Sequence, residues 1–325
     1  MKTLVKTLAL TASAAALAAC ATSKTTETAA SAYTVERVTF TSGGEMLVGS
    51  LYIPVGADAA NPAEAVVVTG AWTTVKEHMP ATYAAEMAER GQIALAFDFR
   101  TWGESGGQTR SFENPEMKIE DVIAASEFLS TRDDVSAVNG LGICASAGYM
   151  ATAVERSPLL QSAALVAPWL HDAEIVDVVY GGPNSVADLI ETGRTAAATE
   201  AETGEPQLIP AAGPEGSGAL MTQAPYYVTP GLGQIPEWEN TFNLASWEGW
   251  LTFDAIRAAA NIDQPVLIVH SEDAAIPQGA QEFYAALSGP KDQVWLEGVT
   301  QFDFYHQPGP VDAASDAAAD FFASN

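Results

Sequence analysis

The sequence predicts an α/β fold: a mostly parallel central sheet with helices on both faces and a helical and loop insertion, a cap, over the sheet. Three observations lead there. Short, continuous apolar runs recur along the chain, at Ala65–Thr69 (AVVVT), Ile93–Phe97 (IALAF), Val138–Ile143, Ala163–Ala167 and Pro265–Val269 (PVLIV). Strands buried on both faces read this way, whereas strands with one wet face alternate. Helical patterns separate the runs, and strand–helix alternation implies a parallel sheet covered on both sides. The alternation then breaks between residues 171 and about 255, where Gly-Pro and Gly-Gly punctuation accompanies Tyr226, Tyr227, Trp238, Phe242, Trp247 and Trp250. So many aromatic residues argue against a disordered acidic loop.

Taken in order, Val35–Thr41 and Met46–Ile53 are β-rich stretches joined by Ser42-Gly43-Gly44 and read as a hairpin. Helices are expected at Ala81–Glu89, at Pro115–Ser130 with Pro115 at its start and Glu116 in its first turn, and at Ser146–Glu155. After the insertion come a helix at Gln278–Leu287, a strand at Val294–Glu297 and a closing helix at Val311–Phe322. Sheets of this kind bind ligands at the carboxyl ends of their strands. Those ends are Thr69–Trp72, Asp98–Gly103, Cys144, Ala167–His171, His270–Asp273 and the stretch from Gly298.

The 325 residues are 48% hydrophobic and 17% charged, enough for one large core. A net charge of −27 repels phosphate backbones, which excludes a nucleic-acid partner. The first residues read as a targeting segment. Lys2 and Lys6 precede a run of small and apolar residues, Thr7 to Ala19, too short for the roughly 20 residues a membrane-spanning helix needs. It ends in Leu17-Ala18-Ala19-Cys20, which resembles the bacterial lipobox. That resemblance implies a signal peptide at 1–19, lipidation of Cys20 and contact with membrane through the lipid anchor only. Ala21 after the cysteine resembles outer-membrane sorting, facing the periplasm. Residues 20–32 are small, polar and non-periodic, a flexible tether to a domain at 33–325. Cys144 is the only other cysteine, so no disulfide framework forms within the chain.

The stretch GLGICASAGYM, residues 140–150, puts a strand, a sharp turn between small residues and a helix around two candidate nucleophiles, Cys144 and Ser146. Such a nucleophile elbow needs small residues two positions either side, and both Gly142-x-Cys144-x-Ser146 and Cys144-x-Ser146-x-Gly148 satisfy it. Here the chain resembles the dienelactone-hydrolase-like branch of the α/β-hydrolase superfamily. Gly140-Leu141-Gly142-Ile143-Cys144-Ala145 resembles that branch's cysteine turn, with Ser146 and Ala147 where glycines are usual. Val66-Val67-Val68-Thr69-Gly70 resembles the strand leading to the oxyanion loop, and Asp98-Phe99-Arg100-Thr101-Trp102-Gly103-Glu104-Ser105 the D-x-R-G-x-G-x-S turn. His270-Ser271-Glu272-Asp273-Ala274-Ala275-Ile276-Pro277 resembles the turn that carries the acid. Strand registration favours Cys144, because the apolar run reaches Ile143; Ser146 stays as the alternative nucleophile.

The resemblance implies hydrolysis of an ester-like small molecule (a carboxylic ester, thioester or lactone) through an acyl intermediate, with no cofactor. Asp273 would orient a catalytic imidazole, Glu272 being the alternative carboxylate. Backbone N–H groups of Ala145 and of Ala71 or Trp72 would form the oxyanion hole. The histidine is the difficulty. The branch places it in a frame G-x-T-H-x-D-x-Y, and this chain reads Gly298-Val299-Thr300-Gln301-Phe302-Asp303-Phe304-Tyr305, with His306 following. Gln301 hydrogen-bonds but cannot titrate. His306 and, at the start of the cap, His171 are the substitutes to weigh. His270 reads as structural and His78, in a polar stretch, as solvated. If no histidine completes the triad, the alternative is a catalytically impaired binding or envelope protein on the same fold. No HExxH or CxxC pattern suggests a metal site.

Overall fold

The continuous apolar runs form strands because their side chains find cover on both faces. In the computed structural model, which describes residues 31–325, they assemble one eight-stranded sheet. The elements run β1 (Tyr33–Ser42), β2 (Glu45–Pro54), β3 (Ala63–Thr69), α1 (Met79–Glu89), β4 (Ile93–Phe97), α2 (Pro115–Ser130), β5 (Val135–Ile143), α3 (Ala145–Arg156) and β6 (Leu160–Val166). The insertion supplies α4 (Ala173–Val179), α5 (Pro183–Thr203), β7 (Leu208–Pro210), α6 (Pro225–Val228), β8 (Thr241–Asn243) and α7 (Trp247–Thr252). The chain then returns through β9 (Val266–His270), α8 (Pro277–Ala286), β10 (Lys291–Trp295), α9 (Asp303–His306) and α10 (Pro308–Ser324). The expected signal peptide and Cys20 lie outside the described residues.

Strand order is β1-β2-β4-β3-β5-β6-β9-β10. The hairpin β1–β2 and the β2–β4 pair are antiparallel; every other neighbouring pair is parallel. Ala65 to Val68, Ile93 to Ala96 and Val266 to Val269 are buried, as their unbroken apolarity requires. Asn114 caps α2 by accepting from the Met117 N–H at 3.0 Å, and Pro115 follows at the first helical position.

The topology gathers the carboxyl ends of β3, β5, β6 and β9 on one edge. Four of the seven described non-glycine residues with positive φ lie just beyond these strands: Thr73 (63°), Cys144 (57°), Ala167 (42°) and Ile276 (41°). Such conformations persist where surrounding structure enforces them, and they concentrate at functional sites.

Candidate active site

Cys144 sits between β5 and α3 with φ 57° and ψ −122°. Its own N–H donates to the Val166 carbonyl at 3.1 Å, and its carbonyl accepts from Trp169 at 2.9 Å and Ala147 at 3.1 Å. The turn leaves no room beside Gly142: a Cβ there would lie 2.8 Å from the Ser146 carbonyl oxygen and 2.9 Å from Ala147 Cα. A Cβ on Gly148 would meet Ala255 Cβ at 2.9 Å. The small residues are thus set by the close approach of α3 to its own strand and to the chain following the cap.

Ser146 is already within α3 and fully buried, and its hydroxyl donates to the Gly70 carbonyl. It does not line the cavity, whereas Cys144 and Ala145 do. The hydroxyl therefore ties the elbow helix to the end of β3.

Trp72, Ala145, Gln301 and Tyr305 line the cavity together with Cys144, and their backbone N–H, amide and hydroxyl groups are the polar donors around its thiol. Burial pushes the thiol pKa up, and these donors oppose that by favouring the thiolate. The two backbone donors come from opposite sides, one from the first turn of α3 and one from the loop after β3, the arrangement of an oxyanion hole. Of the two expected loop residues, Trp72 lines the cavity. The Ala71 N–H points to Met79 Sδ at 3.5 Å.

Gln301 is held on three sides. Its carbonyl oxygen accepts from the Ala275 N–H at 3.0 Å, and its amide donates to the Ala167 carbonyl at 2.9 Å and to the Tyr305 hydroxyl at 3.0 Å. The side chain thus joins the turn after β9 to the turn after β6, and it lines the cavity beside Cys144. Tyr305 has no ionised form to offer, since burial raises its pKa well above the ordinary phenol value.

The other expected residues stand elsewhere. Asp273 is exposed, and its carboxylate makes none of these bonds; its N–H donates to Ser271 Oγ at 3.2 Å. His306 Nδ1 bonds the Phe302 carbonyl at 2.8 Å and its ring lies against Tyr226. His171 accepts from Trp169 Nε1 at 3.0 Å and donates to the Trp250 carbonyl at 3.2 Å, so both ring nitrogens are engaged behind the cavity wall. Its pKa falls to about 4 through burial. His270 is buried against Trp295 with a pKa of about 4, again from burial. His78, expected in solvent, is instead buried among Tyr226, Tyr227 and Trp238. Its Nδ1 accepts from the Val75 N–H at 3.2 Å and its Nε2 donates to the Gly233 carbonyl at 2.9 Å. None of the four histidines lines the cavity.

The cavity has a volume of about 680 Å³. Its floor is Cys144, Ala145, Gln301 and Tyr305, and its walls come largely from the cap, including Leu220, Met221, Tyr227, Leu244, Trp247 and Trp250. Trp72 stacks on Trp250 with centroids 4.8 Å apart and touches Phe242 at 5.1 Å. No lining residue carries a charge. Among the described residues no cluster of His, Cys, Asp and Glu could hold a metal ion. Tyr305 and Glu113, important below, were missed by sequence reasoning; Tyr305 had a signal, the final position of the G-x-T-H-x-D-x-Y frame.

No family model matches the sequence. Two curated relatives cover most of it. The uncharacterized protein YcjY of Escherichia coli K12 is 28% identical over 307 residues, 88% of this chain and 97% of its own length. The uncharacterized protein PA2218 of Pseudomonas aeruginosa is 30% identical over 285 residues, 83% of this chain and 75% of its own. The crystal structure of PA2218 matches with a TM-score of 0.79 at 25% identity, covering 91% of this chain and 94% of that one. The α/β hydrolase GrgF of Penicillium sp. sh18 matches at 0.76 with 20% identity, covering 90% and 98%. A dienelactone hydrolase from Anabaena variabilis shares the fold at 0.55 with 12% identity, covering 90% and 98%. The chain therefore belongs to one family with PA2218, and its strand order and elbow give it the α/β-hydrolase fold that GrgF and the dienelactone hydrolase share.

Proposed function

We propose that the protein cleaves neutral, apolar esters, thioesters or lactones by forming an acyl-Cys144 intermediate. The single observation that carries this reading is an elbow cysteine with φ 57° at the floor of an uncharged, aromatic cavity that Trp72 and Ala145 line beside it. The thiol ionises, its proton passing to solvent, and the sulfur attacks the acyl carbonyl. The carbonyl electron pair moves onto oxygen, where the two N–H groups hold it. The adduct collapses as the bond to the leaving alkoxide or thiolate breaks. Loss of one such donor in well-studied enzymes costs about 10²–10³ in rate. A cavity of this size and polarity suits an acyl or aromatic group bearing no charge.

Gln301 sets the rates. It positions Tyr305 and the β9 turn, but it takes no proton, so water attacking acyl-Cys144 has no general base. Acylation should therefore be fast relative to deacylation. With p-nitrophenyl hexanoate, one equivalent of nitrophenolate should appear in a burst, followed by slow turnover. A burst absent from the parent, or undiminished in Cys144→Ala, would refute the reading.

A second reading, an apolar-ligand binding protein that performs no turnover, draws on the same Gln301 and on the raised thiol pKa. It predicts saturable binding of the ester without nitrophenolate release. The sequence further supports a location: anchored through lipidated Cys20, in the outer membrane and facing the periplasm. A Cys20→Ala variant that still partitions wholly into membranes would remove that part of the proposal.

A further inference from the structure

Glu113, just ahead of α2, is fully buried yet lies outside the cavity lining. Its Oε2 accepts from the Thr73 N–H at 3.3 Å. Its Oε1 accepts from the Tyr149 hydroxyl at 2.8 Å and lies 2.7 Å from Lys118 Nζ. Lys118 is buried as well, with the rings of Phe99, Trp102 and Tyr149 around its ammonium at 4.7, 5.1 and 5.7 Å. A buried ion pair with no exposed member is costly to assemble and is weak as a source of stability.

The two groups Glu113 grips are informative. Thr73 follows Trp72 and holds φ 63°, a conformation its side chain disfavours. Tyr149 lies on α3, four residues and about one turn beyond Ala145. Trp72 and Ala145 line the cavity on either side of Cys144, and their backbone N–H groups are the oxyanion-hole donors of the reading above. The peptide after Trp72 is fixed by Glu113, and the next carbonyl, of Thr73, accepts from Trp238 Nε1 at 2.7 Å. On the other side the Ala71 N–H is directed to Met79. With both neighbouring peptides fixed and the Ala71 carbonyl accepting from Thr74 Oγ1 at 2.7 Å, the peptide that carries the Trp72 N–H is held in place beside Cys144. The Glu113 backbone N–H donates to Ser246 Oγ at 2.9 Å, which ties the residue to the chain of the cap.

We infer that Glu113 is a positioning residue that couples the two halves of the oxyanion hole, holding the Thr73 loop with one carboxylate oxygen and α3, through Tyr149, with the other. This rests on the acyl-cysteine reading given above. Lys118 stands 2.7 Å from the carboxylate and the aromatic rings hold the lysine in place.

The test compares two reactions of one sulfur. Acylation of Cys144 by p-nitrophenyl hexanoate develops negative charge on a carbonyl oxygen; alkylation by iodoacetamide displaces iodide and needs no oxyanion hole. In Glu113→Gln the acylation rate should fall about 10²-fold, the scale of one misplaced donor. The alkylation rate, compared at equal thiolate fraction, should change less than about threefold. Tyr149→Phe, which removes one hydroxyl and keeps the fold, should lower acylation about fivefold with alkylation unchanged. It carries the test if Glu113→Gln does not fold. Equal losses of both reactions, or unchanged acylation in a folded variant, would overturn the coupling role while leaving the acyl-cysteine reading standing. A parent protein that is alkylated but never acylated would instead overturn that reading, and this inference with it.

Discussion

Replacing Gln301 with histidine should convert a burst into turnover. A positioned general base contributes about 10²–10⁴ in rate. The lower end applies here, because Asp273 is exposed and no carboxylate stands ready to orient the new imidazole. The substitution also has a cost. Gln301 makes three hydrogen bonds, to Ala275, Ala167 and Tyr305, and an imidazole has two ring nitrogens. At least one buried partner is left unpaired, at about 1–3 kcal/mol. Gln301→His should thus show a steady-state rate of nitrophenolate release about 10²-fold above the parent, an unchanged burst of one equivalent, and a lower urea midpoint. The new rate should follow an ionisation near the ordinary histidine value. A folded Gln301→His with no gain in steady-state rate would refute the claim that deacylation lacks only a base. So would a parent already turning over with a histidine-like pH profile.

Three further outcomes follow from the same geometry. Because burial raises the Cys144 pKa, acylation of the parent should climb about tenfold per pH unit between pH 7 and 9 without a plateau near pH 6–7, as read from burst rates; a plateau there would mean that a histidine activates the thiol. In Gly142→Ala the new methyl meets the Ser146 carbonyl and Ala147, so a loss of about 1–3 kcal/mol is expected by urea denaturation, and a neutral result would contradict the close approach. His171 and His270 both have folded-state pKa values of about 4, below the ordinary value near 6.5. Their contribution is therefore full above pH 6.5 and lost as pH falls toward 4, on the order of 3 kcal/mol each. His270→Phe should flatten that loss between pH 6.5 and 4, and an unchanged profile would exclude His270 as a source.

The sheet was legible because its central strands are buried on both faces and so write themselves as unbroken apolar runs. The edge strand was less so. Sequence reading placed it at Val294–Glu297, whereas β10 spans Lys291–Trp295 and begins with exposed Lys291 and Asp292. The cap resisted for a related reason: α5 runs through 21 residues but buries only Val186, Gly193 and Ala196, too thin a stripe to register as periodicity. His78 reads as solvated, in a polar stretch, yet its partner and those of the neighbouring Lys76 come from elsewhere in the chain. Lys76 Nζ lies 2.9 Å from Asp98 and 2.8 Å from Glu104, and His78 meets the Gly233 carbonyl 155 residues away. Glu113 was invisible on the same ground: its meaning depends on Thr73 and Tyr149 meeting it in space. The elbow, by contrast, is a local device. Its glycine, its cysteine and the helix after it are consecutive, so sequence alone could point to the place where the structure puts the cavity floor.

The most direct measurement is the site of the acyl group. The protein should be mixed with p-nitrophenyl hexanoate, quenched in acid within the burst, digested and analysed by peptide mass spectrometry. The account predicts one hexanoyl group per chain, carried by Cys144, and none on the Cys144→Ala protein. A hexanoyl group on Ser146, or an unmodified Cys144 peptide in a sample that has released its equivalent of nitrophenolate, would contradict it.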